Sequence, residues 1–269
     1  LQTGKRQQRE HDGSGKNAFK NPLSFRYLDD NFIESDAVKI GKTFMDYLKK
    51  TKDPRIHVYC SLKDGNTEFD KQFGLPNGYD SHTIADAPSG SFVGLENTSN
   101  FNINTILRLD APTIFLMPSE TKLLLAEAVL RNWTNGNAEV LYKEAITSSM
   151  KEQEIAYGTQ GKITDEEIET YLAQNLFSTA NNTEKLQIIG EQYWVATFIN
   201  GYESYANWRR TGYPKLIPTN YSGSMSPGVI PTRLPYPTDE YSINRANVDT
   251  ANQQQGADKV TTHIWWDID

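Results

Sequence analysis

Two amphipathic stretches joined by four turn-forming residues restrict the fold of this chain more than any other feature. In SETKLLLAEAVLRNW, Leu123, Ala126, Leu130 and Trp133 fall on one helical face, and Ala126 and Ala128 are small enough to admit a close neighbour. After Thr134-Asn135-Gly136-Asn137, apolar positions recur at Ala138, Leu141, Tyr142, Ala145, Ile146 and Met150, which predicts a second helix of similar length. So short a connection predicts an antiparallel pair packed through Leu123, Ala126, Leu130, Leu141, Ala145 and Ile146. Such pairs are the unit of tetratricopeptide-type stacks, although one pair does not make an array.

Around this pair the pattern is mixed. Leu1 to Asn21 is polar and punctuated by Gly and Ser, which reads as loop or as a strand leading from upstream chain. Residues 36–50 carry Val38, Ile40, Phe44, Met45 and Leu48 at helical spacing, and Pro54 closes that helix. Residues 54–112 read as an excursion of loops and short strands, with RIHVYC and SFVGL as the β-prone runs between turn clusters. The helical body then runs over 118–214. Within it Thr164 and Glu167 form a capping box. Thr183 introduces a long run predicted to be the central helix, ending at Thr211-Gly212-Tyr213-Pro214. Residues 215–269, with Pro218, Pro227, Pro231, Pro235 and Pro237, are expected to wrap over the helices as irregular chain. All of this fits a single region, 1–269, of mostly α class.

The chemistry is narrowed by what the residues exclude. A net charge of -7 and no long Lys/Arg stripe argue against a nucleic-acid partner. The single cysteine, Cys60, sits in an apolar run and reads as a packing thiol. No stretch of about 18 apolar residues is present to span a bilayer. The four histidines, His11, His57, His82 and His263, have no zinc spacing, and neither a Walker loop nor a G-x-S-x-G elbow occurs. Asp64-Gly65-Asn66 reads as a plain turn rather than a calcium loop. No metal or organic cofactor is expected. The acidic pairs Asp29-Asp30, Asp165-Glu166-Glu167 and Asp239-Glu240 are adjacent in sequence, and neighbours on a helix do not converge across one glycosidic bond.

Three blocks resemble the SusD/RagB family, in its divergent SusD-like branch. They are NPLSFRY with KIGKTFMDYLKKTKDPRIHVYC, then MPSETKLLLAEAVLRNWTNGNAEVLYKEAITSSM, then QYWVATFINGYESYANWRRTGYPKL with RLPYPTDEYSINRAN and HIWWD. The resemblance is collinear from Asn21 onward and corresponds to the carboxy-terminal part of that family. It implies a SusD-like fold, mostly α, with tetratricopeptide-like helical pairs, long irregular loops and a few short strands. It further implies a non-catalytic cell-surface lipoprotein of the outer membrane, anchored through an amino-terminal region that this chain lacks. The implied partner is a SusC-like TonB-dependent transporter, and the implied ligand an oligosaccharide or a peptide. A divergent glycoside hydrolase, or a part that only scaffolds the partner contact, stands as the alternative.

A sugar offers flat C–H faces and many hydroxyls, so its site needs aromatic platforms beside polar side chains. The loops of residues 69–82 supply both. Phe73, Asn77, Tyr79 and Asp80 are the expected ligand-binding residues, with Tyr79 in its turn as the best exposed ring. Arg209 and Arg210 are expected to cap the end of their helix, and Trp265 and Trp266 to lock the chain end into the core.

Overall fold

The computed structural model describes residues 39–79, 82–177, 179–220 and 223–267. The expectations placed on Leu1 to Val38, including the first turn of the 36–50 helix, lie outside the described residues, as does Asp80. The chain divides into two compact units. The first comprises Leu1–Leu75, Gly90–Met117 and Thr147–Asn175, and the second Pro76–Ser89, Pro118–Ile146 and Leu176–Asp269.

The first unit is built on helix α1, Lys42–Thr51, and the one-turn helix α2, Ile56–Tyr59. Helix α1 does not start near Asp36 as predicted, because Ile40 and Gly41 are held extended by a neighbouring chain segment. Leu75 donates to Ile40 (2.7 Å), Lys42 donates to Leu75 (2.7 Å), and Gly41 and Leu75 form a parallel bridge. Gly74 is required there, since a β-carbon would collide with the backbone of Gly41 and Lys42. Lys52 ends α1 in the left-handed region and returns its N–H to Leu48 and Lys49. Phe44, Met45 and Leu48 are buried on its inner face, each contributing about 1.5–3 kcal/mol.

The run RIHVYC, expected as a strand, is mostly helical: Val58 and Tyr59 both donate back to Arg55. Only Cys60–Ser61, strand β1, is extended, and it pairs antiparallel with β2, Asn100–Phe101, in the register Cys60 to Phe101. SFVGL forms no strand; it leads into a single 3-10 turn, Leu95–Asn97. Asp64-Gly65-Asn66 is a turn, in which the Asp64 carboxylate accepts from Asn66 N–H at 2.9 Å. Cys60 is fully buried, and burial pushes its thiol pKa well up.

The second unit holds most of the helices. Helix α3, Pro118–Leu130, buries Ser119, Glu120, Leu123, Ala126 and Glu127. Helix α4, Ala138–Tyr157, begins in this unit and continues into the first. Helix α5, Asp165–Gln174, belongs to the first unit and opens on the predicted capping box, with Glu167 N–H on the Thr164 hydroxyl and Thr164 N–H on the Glu167 carboxylate. Helices α6, Asn182–Ala196, and α7, Gly201–Thr211, replace the single long helix that was expected. The break comes where Thr197 turns its hydroxyl back onto Tyr193 (2.7 Å) and Asn200 caps Glu203. Gly212, at φ 68, closes α7 in the left-handed region as predicted.

The main helical neighbour of α3 is α6, which also packs on α7. The expected α3/α4 pair is not among the main helix contacts. Leu123, Ala126, Ala145 and Ile146 are nonetheless fully buried, and Tyr142 stacks on Phe177 at 4.5 Å. Trp133 does not join the apolar face. Asn132 takes the left-handed conformation and Trp133 N–H returns to Ala128, so the helix ends before the indole, which is 69% exposed.

The carboxy-terminal stretch contains two helices the sequence did not predict, α8, Thr238–Ile243, and α9, Arg245–Gln255. Val248 is the one residue they bury, too little to leave a period. Asp258 fastens this stretch by accepting from Arg233 (2.8 Å), Tyr236 N–H and Tyr241 OH (2.6 Å). The protein is mostly α with long irregular loops, as expected.

Candidate functional site

Phe69 lies in a 3-10 turn, Phe69–Lys71, and the next two residues invert the usual placement of polar and apolar side chains. Gln72 is fully buried whereas Phe73 is 40% exposed. The inversion is enforced by hydrogen bonds. The Gln72 amide donates to the carbonyls of Asn66 (3.0 Å) and Glu68 (3.2 Å), its oxygen accepts from Ser99 Oγ (2.8 Å), and that hydroxyl oxygen accepts Phe73 N–H (3.0 Å). A satisfied buried amide fixes the loop, and the phenyl ring is turned outward. The exposure of the ring is thus set by the hydrogen bonds of its own loop.

Lys49 of α1 stands between the two rings, its ammonium 4.2 Å from the centre of Phe73 and 6.0 Å from that of Phe69. Desolvation, chiefly, lowers its pKa from the ordinary lysine value. The aromatic faces replace part of the water that a surface lysine keeps.

Beside this cluster opens a cleft of about 610 Å³, within the size range of small-ligand sites. One wall is the end of α1 with Lys49, Lys52 and Pro54; Phe69 forms another; the third is one face of α5, carrying Glu166, Glu167, Thr170, Tyr171 and Gln174. Both ends of the wall are anchored. The Asn175 amide bridges Thr51 O and Tyr171 O at 3.0 Å each, and Pro54 sits between Asp53 and Arg55, a fully buried pair. The cleft thus offers a hydrophobic ring face beside hydroxyl, amide, ammonium and carboxylate groups. Its two lysines offset its two glutamates, so it presents no strong field of either sign.

Acid–base hydrolysis finds no support here. Burial works to raise the Glu167 pKa, but the hydrogen bonds from Thr164 outweigh it and hold the carboxyl below its usual range, the wrong direction for a proton donor. Glu166 is its helical neighbour and points along an adjacent row rather than across a scissile bond. Among the described residues no cluster of three His, Cys, Asp or Glu could hold a metal ion.

Of the expected site residues, Phe73 stands beside this cleft. Asn77 is exposed and Tyr79 half-buried in the turn at Gly78 (φ 86), and both belong to the second unit. That turn packs against Thr219, whose Cβ would lie 3.0 Å from a β-carbon at position 78. Asp80 lies outside the described residues. The sequence passes over Lys49, Thr170 and Gln174, which read there as ordinary solvent-side helix positions.

Two further expectations are corrected. Arg209 and Arg210 stand in the last turn of α7 as expected, but their guanidinium groups meet carboxylates rather than carbonyls: Arg210 forms a two-pronged pair with Glu127 (2.7 and 2.6 Å), and Arg209 meets Asp267 at 3.3 Å. Trp265 and Trp266 are not locked in the core but are 80% and 48% exposed.

No described helix is long and apolar enough to cross a membrane. The chain superposes on a solved chitin-binding protein at 30% identity and TM-score 0.74, over 93% of this chain and 53% of that one. It superposes on a SusD homologue of Bacteroides fragilis at 26% identity and TM-score 0.68, over 86% and 52% of the two chains. A chitin-binding SusD homologue from Flavobacterium johnsoniae shares the fold at 24% identity and TM-score 0.70, over 93% and 52%. The chain therefore spans about half the length of these relatives, and no curated protein matches it. The sequence model of a SusD-like family, described as "Starch-binding associating with outer membrane", matches residues 12–237. With most of its length matched and its helical fold shared, the chain belongs to the SusD-like family.

Proposed function

We propose that this chain is the ligand-holding part of a non-catalytic cell-surface receptor that captures oligosaccharide in the cleft between Phe69 and α5. The observation that carries the reading is the outward Phe73 enforced by buried Gln72, set beside a cleft that mixes ring faces with hydrogen-bonding groups. Pyranose rings present C–H faces to aromatics and hydroxyls to amides and carboxylates, and this cleft supplies both. Family membership supports the reading, and the chitin-binding relatives make N-acetylhexosamine oligomers the first ligands to try. In the whole protein the captured glycan would pass to a SusC-like TonB-dependent transporter at the outer membrane, the protein being lipid-anchored there. Tyr79 and Asn77 are proposed as a further contact of the same ligand class. Peptide capture is the second reading, favoured by the opposed lysine and glutamate charges of the cleft.

Titration calorimetry against chitin, starch and plant-glycan oligomers, with a peptide panel alongside, tests this. Phe69→Ala and Phe73→Ala are each expected to remove stacking of about 0.5–1.5 kcal/mol, a three- to tenfold loss of affinity without unfolding. Tyr79→Ala is expected to act likewise. Release of new reducing ends would sink the receptor reading, and affinity indifferent to all three substitutions would move the site elsewhere.

A further inference from the structure

A second array of aromatic side chains lies in the other unit. Tyr202, Tyr205 and Trp208 follow one another at every third residue of α7, and so share a face of the helix. Trp266, from the chain end, joins that face through Arg209, with Trp265 next to it in sequence. The guanidinium lies 4.5 Å from the ring centre of Trp266 and 5.7 Å from that of Tyr205, and Tyr205 and Trp208 are nearly parallel, 6.1 Å apart at 17°.

The support beneath these rings is rigid. Arg209 is largely buried and tied to Asp267 at 3.3 Å, and Asp267 also meets His263 at 3.3 Å. The Tyr205 hydroxyl donates to Pro231 O at 2.5 Å, which fixes that ring by its far edge. Trp266 therefore has one side on a cation and remains 48% exposed, and Tyr205 remains 38% exposed. Tyr202, one helical step before Tyr205, and Trp265, the sequence neighbour of Trp266, are 91% and 80% exposed. A ring backed on one face and open on the other is what a stacked ligand needs, because its orientation is set before binding and little rotamer freedom is lost. Arg209 is paired with Asp267 and lies against the rings of Tyr205 and Trp266, so its charge is spent on holding the rings rather than offered at the surface. What remains is a row of ring faces edged by polar atoms.

We propose that this array is a second saccharide-binding surface, one that stacks successive pyranose rings of an extended glycan chain. It shares only its ligand class with the cleft of the first unit.

The test uses the full chain in affinity electrophoresis through gels containing soluble chitin derivatives, starch or xylan, beside calorimetry with short oligomers of the same sugars. In a Phe69→Ala/Phe73→Ala background, residual retardation by polymer is expected, with a shift in tryptophan emission. Adding Trp265→Ala and Trp266→Ala should reduce that residual binding at least threefold. In the otherwise native chain the two tryptophan substitutions should weaken polymer binding while leaving short-oligomer affinity at the cleft within twofold. Tyr202→Ala, at the most exposed ring, removes stacking without touching the Arg209 support and keeps the test valid if Trp266→Ala fails to fold. The inference is overturned if the cleft substitutions alone abolish all polymer binding, or if residual binding ignores the tryptophan and Tyr202 substitutions. It is equally overturned if those substitutions dissolve a dimer without changing glycan affinity, which would make the array a protein contact. Loss of polymer binding only with the tryptophans, and none with Phe69 or Phe73, would instead uphold the array and refute the cleft.

Discussion

Arg55 is fully buried, and its guanidinium is met by both carboxylate oxygens of Asp53 and, at 2.9 Å, by the Ser149 hydroxyl. Burial works against its charge, but the neighbouring Asp53 more than offsets this and raises the Arg55 pKa. Removing the carboxylate leaves a desolvated cation, so Asp53→Ala should cost about 3–5 kcal/mol, read as a lower midpoint in urea unfolding. A stability unchanged within experimental error would mean water reaches Arg55. Glu127 makes the corresponding case in the other unit. Burial tends to raise its pKa, yet hydrogen bonds from Arg210 and Arg131 prevail and lower it. A carboxyl depressed in the folded state stabilises it above the ordinary Glu value, about 4.3, and loses that contribution as pH falls through the folded value. Wild type should therefore lose stability between about pH 5 and 3 more steeply than Glu127→Gln, whose amide does not titrate; parallel curves would refute the assignment. Neither pair is legible in sequence, because Asp53 and Arg55 look like turn residues around Pro54 and Glu127 looks like a solvent-side position of LAEA.

Helix α3 carries Ala126 at zero exposure, on the face that packs within its unit. Ala126→Leu should overpack this contact and cost about 1–3 kcal/mol, seen as a fall in thermal midpoint. An unchanged midpoint would show a void beside Ala126. The elements that sequence fixes locally came out as expected: the Thr164 to Glu167 capping box, the Gly212 cap and the helix of the 138–150 run all rest on side chains near in sequence. What failed depended on distant partners. The start of α1 moved because Leu75 pairs with Ile40 from more than thirty residues away, and RIHVYC curled into a turn because its N–H groups found Arg55 rather than a long strand. The break at Thr197 was hidden by an apolar run continuous across it, and α9 by a face that buries Val248 alone. The pairing of α3 with α6 rather than α4 reflects the same limit, since loop length constrains which helices can meet but not which surface fits best.

Across the whole molecule, the candidate sites divide in the same way. The ring on loop 69–75 was visible because an aromatic among turn formers is rare enough to notice, whereas the α5 wall of the cleft exists only once α1 and α5 are joined through Asn175. The aromatic array went unread for the opposite reason: Trp265 and Trp266 look like core residues, and only their exposure shows otherwise. Cys60, the one sulfhydryl of the chain, has a further use. Shielded from solvent and with its ionisation suppressed, it should ignore thiol-reactive dyes in the native protein and react once β1 separates from β2. Its modification rate then serves as a clock for opening of the first unit, slowing when glycan fills the cleft and unaffected by glycan if binding lies elsewhere. The same silence leaves the rest of the surface open to a single introduced cysteine, so that a fluorophore placed beside Tyr79 or Tyr202 would report on one platform at a time.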